Sequence, residues 1–191
     1  MALYPAADMT LEELEAAVGG YVPDAAYRHD PFVKVAIEES LAAFKEGNYA
    51  VGACLVRDDE VVVRGHNRVY YPYFRSDLHG EMDVMTQFED TYRNAPDVDQ
   101  YELFTSLEPC AMCTIRLITA GVGKVFYASL DEESGMMATM DRLTPVWVEM
   151  ARRQEFGMAE CSPRLQYLAK QSWLVSAEAT QQRTIRGERG V

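Results

Sequence analysis

Tyr101-Glu102-Leu103-Phe104-Thr105-Ser106-Leu107-Glu108-Pro109-Cys110-Ala111-Met112-Cys113-Thr114-Ile115-Arg116-Leu117-Ile118-Thr119-Ala120-Gly121-Val122-Gly123-Lys124-Val125-Phe126-Tyr127 is the stretch on which the fold turns. Tyr101 to Ser106 reads as a strand. Pro109 stands where a first helical turn accepts proline, and Ile115, Leu117 and Ile118 carry the helix forward. Gly121-Val122-Gly123 then stops it ahead of a second β-rich run, Lys124 to Tyr127. A strand, a helix and a strand in so short a span form a crossover, and crossovers join parallel strands.

Toward the N-terminus, Val51 to Val56 and Glu60 to Gly65 are β-rich and separated by Arg57-Asp58-Asp59, which predicts a hairpin. Asp30-Pro31 opens a helix with Val33, Ile37, Leu41 and Phe44 on one face, closed by Gly47. Before it, Thr10 with Glu13 three residues on is a capping pattern for a short helix over Leu11, Leu14 and Val18. A second helix begins at His79-Gly80-Glu81 and runs through Val84, Met85 and Phe88, after a loop carrying Tyr70, Tyr71, Tyr73 and Phe74. The order β-α-β-α-β predicts one sheet with parallel pairing in its middle and helices on its faces. Beyond Leu130, Asp141 to Glu155 and Pro163 to Leu174 have helical patterning, with an extended piece near Phe156 to Glu160. The chain is expected to form a single domain over 1–191, with 1–30 a helical extension and the polar, Arg-rich 181–191 a loose tail.

The length of 191 residues suits one core that needs no disulfides, and 48% hydrophobic with 25% charged residues is ordinary for a soluble domain. No run approaches the eighteen or so apolar residues of a membrane helix, and Met1-Ala2-Leu3-Tyr4-Pro5 lacks the pattern of a signal peptide, so a cytoplasmic location is expected. Eighteen Lys plus Arg against 30 Asp plus Glu give a net charge of −12, which repels a phosphate backbone and makes nucleic acid a poor partner. Cys54, Cys110, Cys113 and Cys161 are too few and too unevenly spaced for a disulfide framework.

Cys110 and Cys113 lie three apart at a helix start, so both thiols fall on one face, and the positive helix end favours their thiolate forms. Alone, such a pair admits a redox or structural reading. His79 opens the preceding helix, and if the intervening strands neighbour one another, both helix starts meet at one sheet edge. Three ligands of the His and Cys type with a fourth position open are what a catalytic zinc requires. Glu81, two residues past His79, is placed to exchange protons with a water there.

His79-Gly80-Glu81 with Pro109-Cys110-Ala111-Met112-Cys113 resembles the H-x-E and P-C-x-x-C zinc signature of the cytidine and deoxycytidylate deaminase superfamily. Val51-Gly52-Ala53, Gly65-His66-Asn67-Arg68 and Thr105-Ser106-Leu107-Glu108 extend the likeness toward the branch with guanine deaminases and tRNA adenosine deaminases. The resemblance implies an α/β fold, a three-layer α/β/α sandwich with a five-stranded mixed sheet. It implies zinc on His79, Cys110 and Cys113, Glu81 as the proton-transferring residue, and substrate contacts from Asn67, the Ala53 backbone and the Glu108 carbonyl. Asn67 also suits a plain turn, and Asp131, with Glu132, either binds ring N–H groups or is a solvated loop acid. In this branch Ala usually stands where this chain has Gly80, and Pro where it has Ala50.

The expected activity is zinc-dependent hydrolytic deamination of a small heterocycle, a free amino-substituted nucleobase with guanine favoured, by a homodimer. The alternatives are a nucleoside or nucleotide deaminase, cytidine-type or acting on adenosine in tRNA, with Arg68 and Arg75 holding a phosphate, and a noncatalytic partner subunit that zinc only stabilises.

Overall fold

The structure is a computed structural model, and it describes residues 4–189. The first three residues of the N-terminal segment and the last two of the tail lie outside the described residues. In chain order the helices and strands are α1 (Leu11–Gly19), α2 (Asp30–Lys45), β1 (Gly52–Arg57), β2 (Glu60–His66), α3 (Gly80–Thr91), β3 (Glu102–Thr105), α4 (Ala111–Ala120), β4 (Lys124–Tyr127), α5 (Pro145–Ala151), β5 (Glu155–Met158) and α6 (Pro163–Ile185). Short 3₁₀ turns occupy Val98–Gln100 and Met137–Arg142.

The five strands form one mixed sheet in the order β2-β1-β3-β4-β5. β1 is antiparallel to both β2 and β3, whereas β3, β4 and β5 run parallel. The crossover read from Tyr101 to Tyr127 is thus the parallel β3-α4-β4 unit, with Glu102 opposite Lys124 and Thr105 opposite Tyr127. β2 and β3 point the same way with β1 between them, so their C-terminal ends share one sheet edge.

The period-two alternation of the strands separates two cores. Cys54, Val56, Phe104 and Phe126 face α1, α2 and α6, packing on Leu14, Val33, Ile37 and Leu165. Ala53, Leu55, Leu103, Val125 and Tyr127 face the other way onto Val84, Met85 and Phe88 of α3 and Leu117 of α4. These are the three layers. The capping box forms as its spacing requires: the Glu13 N–H donates to Thr10 Oγ1 at 3.2 Å and the Thr10 N–H to Glu13 Oε2 at 2.8 Å.

Two features differ from the sequence reading. The helical pattern over Asp141 to Glu155 resolves into a 3₁₀ turn and only the seven residues of α5, because Thr144-Pro145 restarts the helix and β5 has already begun at Glu155. At the other end α6 continues through Ile185, past the point where the polar sequence suggests a loose tail. Its C-terminal half is held by contacts that a polarity profile does not register: the Arg183 guanidinium lies 4.0 Å from the Tyr70 ring centroid and donates to the Gly47 carbonyl at 3.2 Å.

A candidate metal centre in an aromatic cavity

His79 and Cys110 are the N-cap residues of α3 and α4, both in extended backbone conformation and neither making a side-chain capping bond. A residue there usually caps its own helix. Here both side chains turn to one another instead, and Cys113, one turn into α4, joins them. The His79 Nδ1 atom lies 3.6 Å from each sulfur, and the two sulfurs are 3.7 Å apart. Tetrahedral zinc, with Zn–S near ~2.3 Å and Zn–N near ~2.0–2.1 Å, requires its donors about 3.6–3.8 Å apart. The donor set and its spacing therefore fit zinc.

The three donors are electrostatically unequal. Cys110 is brought down to about 4, first by its hydrogen bond with Cys113 and then by His79, against the opposing effect of burial. Cys113 is held well above the ordinary thiol range by its contact with Cys110 and by burial. Burial pulls the His79 imidazole down, but its hydrogen bond and charge interaction with Cys110, with help from Glu81, leave it raised. The Glu81 side chain is 3% exposed, and burial, followed by the Cys110 charge, lifts its carboxyl above the usual range. A carboxyl raised in this way is a better proton acceptor than an ordinary one.

The cluster opens into a cavity of about 550 Å³. His79, Glu81 and Cys110 form one end, and Asn67, Glu108 and Asp131 also line it. Ala53 does not: it lies inside β1, opposite Gly65 on one side and Thr105 on the other, so the sheet uses its backbone. Val51, two residues earlier, takes the place at the wall that the sequence assigns to Ala53. Asn67 Oδ1 accepts from the Val69 N–H at 3.1 Å, which stabilises the turn into the aromatic loop.

Glu108 and Asp131 are more committed than a sequence can show. The Glu108 carboxylate accepts from the backbone amides of Ala138 at 2.7 Å and Asp131 at 3.3 Å. It binds residues 131–138 against the cysteine motif, where Gly135 pairs with Cys110 in an isolated bridge. A Cβ on Gly135 would come within 2.3 Å of that carboxylate, which explains the glycine. Asp131 accepts from the Tyr4 hydroxyl at 3.0 Å, from the amides of Glu133 and Ser134 at 3.2 Å each, and from the Ser134 hydroxyl.

The remaining wall is aromatic and comes from distant parts of the chain. Tyr4 packs edge-on to Trp173 of α6 at 5.3 Å, and Tyr49 lies 5.7 Å from the same indole. Tyr70 and Phe74 of the loop after β2 complete it, whereas Tyr71 and Tyr73 of that loop point to solvent. Arg189 is the only Arg or Lys lining the cavity among the described residues. Arg75 is engaged by Asp77 through two contacts of 2.9 and 2.8 Å, and neither it nor Arg68 reaches the cavity wall.

Sequence reasoning misses Tyr4, Tyr49 and Trp173, which belong to no local motif. It also misses Asp83, whose Oδ2 accepts from the His66 N–H at 3.2 Å and from Gln87 Nε2 at 3.0 Å. That carboxylate pins the end of β2 to α3, and the only signal for it is an acid in the first turn of a metal-bearing helix. His66 and His29, which the sequence leaves without partners, both have them: His66 contacts Glu39 at 2.6 Å and Glu46 at 3.1 Å, and His29 Nδ1 accepts from the Glu160 N–H at 2.9 Å.

A mixed sheet that brings two helix N-caps together around a His-Cys-Cys zinc set, with a buried glutamate beside it, defines a zinc-dependent hydrolytic deaminase. The model of one family, the cytidine and deoxycytidylate deaminase zinc-binding region, matches residues 26–129, and the chain belongs to that family. It is 32% identical over 105 residues to the tRNA-specific adenosine deaminase of Aquifex aeolicus, covering 54% of this chain and 68% of the relative. It is 28% identical over 98 residues to the cytosine deaminase of Candida albicans, covering 49% and 61%. In fold it resembles guanine deaminase from Nitrosomonas europaea with a TM-score of 0.57 at 17% identity, covering 90% of this chain and 98% of that one.

Proposed function

We propose that this chain deaminates a free amino-substituted nucleobase or a close heterocycle, with guanine the first candidate. The observation that carries this reading is the composition of the cavity: aromatic side chains share its wall with four carboxylates, Glu81, Glu108, Asp131 and Glu188, and Arg189 is the only Lys or Arg there among the described residues. Planar apolar walls suit an unsubstituted ring. A phosphate placed there would meet far more negative charge than positive.

His79, Cys110 and Cys113 would hold zinc, which when bound lowers the pKa of a water from about 15.7 toward about 7. Glu81 accepts a proton released by that water and returns one to the departing nitrogen, so that amine and water become carbonyl and ammonia. Asn67 and Val51, which line the cavity, orient the ring. Glu108 and Asp131 act mainly by holding residues 131–138 across the cavity, since their side-chain oxygens already accept backbone and hydroxyl donors. The aromatic wall limits bulk water around the reacting carbon and strengthens these polar contacts.

An ammonia-release screen of guanine, adenine and cytosine against their nucleosides and monophosphates tests the reading. Turnover of a free base in preference to its nucleoside and nucleotide is the expected result. Release confined to phosphorylated or polymeric substrates overturns it.

A further inference from the structure

Three helices converge on the backbone of Ala50-Val51-Gly52, the entry to β1. From α6, the Ser176 hydroxyl accepts the Ala50 N–H at 3.0 Å and donates to the Trp173 carbonyl at 2.9 Å. Ala50 and Ser176 are fully buried, so no water replaces that bond. From α2, the approach at Gly52 is so close that a Cβ there would lie 2.4 Å from both the Ala36 carbonyl oxygen and the Ser40 nitrogen. From α3, Gly80 faces Val51: a Cβ on Gly80 would lie 2.9 Å from the Val51 oxygen and 3.3 Å from its carbonyl carbon. All of these neighbours are backbone and cannot rotate aside.

The Val51 carbonyl so confined accepts the Asn67 N–H at 2.8 Å. Val51 and Asn67 both line the cavity, whereas Gly80 sits between His79 and Glu81. One carbonyl thus joins the wall facing the substrate to the helix start that carries the chemistry. The two departures from the usual motif are linked here. A proline at position 50 has no N–H to give Ser176, and an alanine at position 80 would push against the carbonyl that the Ser176 bond helps to place.

We propose that Ser176 and Gly80 are positioning residues for substrate. Ser176 anchors the Val51 carbonyl from the C-terminal helix, Gly80 leaves it room, and together they set how far Val51 and Asn67 stand from Glu81. This rests on the reading that Val51 and Asn67 face the substrate. With Ala50 tied to Ser176 and Gly52 backed against α2, the segment does not recoil from a methyl group at position 80, so the displacement passes to Asn67.

Amide hydrogen exchange of the zinc-loaded full chain, followed residue by residue, tests the proposal without requiring a known substrate. Ser176→Ala is expected to accelerate exchange at Ala50 and Asn67 by about tenfold, leaving Phe104 and Phe126 in the sheet unchanged, with Ser176→Thr restoring protection. Gly80→Ala should accelerate Asn67 by a similar factor with zinc content unchanged, and adding Ser176→Ala to it should give less than the summed effect, because the released segment can then retreat. Unchanged exchange at Asn67 in either single variant, or a uniform rise across the sheet, overturns the proposal. With guanine as the probe, both variants should raise KM at least about threefold while kcat stays within about twofold. A wild type inactive on guanine counts against the free-base reading, and the exchange data then decide the positioning role on their own.

Discussion

The two ends of the cavity are built differently. At the reacting end, His79, Glu81, Cys110 and Cys113 come from the starts of two helices, and the spacing within each motif does most of the placing. At the substrate end, Tyr4, Tyr49, Tyr70 and Trp173 come from four separate segments, and each contact joins residues far apart in sequence. Local geometry specifies the chemistry, while tertiary packing specifies what the chemistry is applied to. Changes at the first end should therefore abolish turnover without altering selectivity, and changes at the second should shift binding before they touch the rate.

The most damaging test of that contrast is Glu81→Gln, which keeps the side-chain shape but cannot carry the proton. Ammonia release should drop by about 10³-fold or more with the zinc content of the wild type, as read by kinetics and metal analysis. Retained activity would move proton transfer elsewhere. Stripping the metal with a chelator should abolish release until zinc is added back, and should lower the melting temperature by several degrees because the folded cluster is preferentially stabilised by its ion. An apoprotein as active as the wild type would break the comparison at its first end.

Effects at the aromatic end should be of another kind. Trp173→Ala removes a buried indole and should cost about 3–5 kcal/mol of stability in chemical denaturation, with KM raised more than kcat is lowered. Tyr4→Phe deletes only the hydroxyl bonded to Asp131, worth about 1 kcal/mol, so KM should rise about fivefold at unchanged zinc content. Should either variant lower kcat alone, the two ends are less separable than their construction implies.

A smaller effect concerns the hairpin that delivers Asn67. Burial pulls the His66 imidazole down, but its bonds to Glu39 and Glu46 more than reverse this and leave it raised. A histidine raised in the folded state contributes stability that is fully present below the unfolded value of about 6.5 and is lost as pH climbs through the folded value. Denaturation followed from pH 6 to 9 should show a decline in stability that is absent in His66→Gln. A wild type and variant with parallel profiles would remove His66 from the account.

Much of this was readable in advance, and the limit of legibility follows the same division. The β3-α4-β4 crossover, the hairpin and the metal cluster rest on period, turn residues and ligand spacing, all of which act within about a dozen residues. The sequence could not reveal that Ala53 is enclosed by ladder bonds on both sides and that Val51 is the wall residue, because this depends on which strands flank β1. Nor could it show that Glu108 and Asp131 spend their oxygens on a loop, since Ala138 and Tyr4 are distant in sequence. The helical continuation to Ile185 was hidden by polar composition: Arg183 stacks on Tyr70, a contact available only once both segments are in place.

The placement of α6 has a consequence for the protein as it is made. Synthesis runs from the N-terminus, so β1 to β4 and every metal-cluster residue leave the ribosome well before Pro163–Ile185. Until that helix docks, Trp173 and Ser176 are missing and the cavity lacks one side. That side of the cavity is thus encoded apart from the zinc motifs. Substitutions in α6 can therefore reshape that side of the cavity while leaving the zinc motifs untouched.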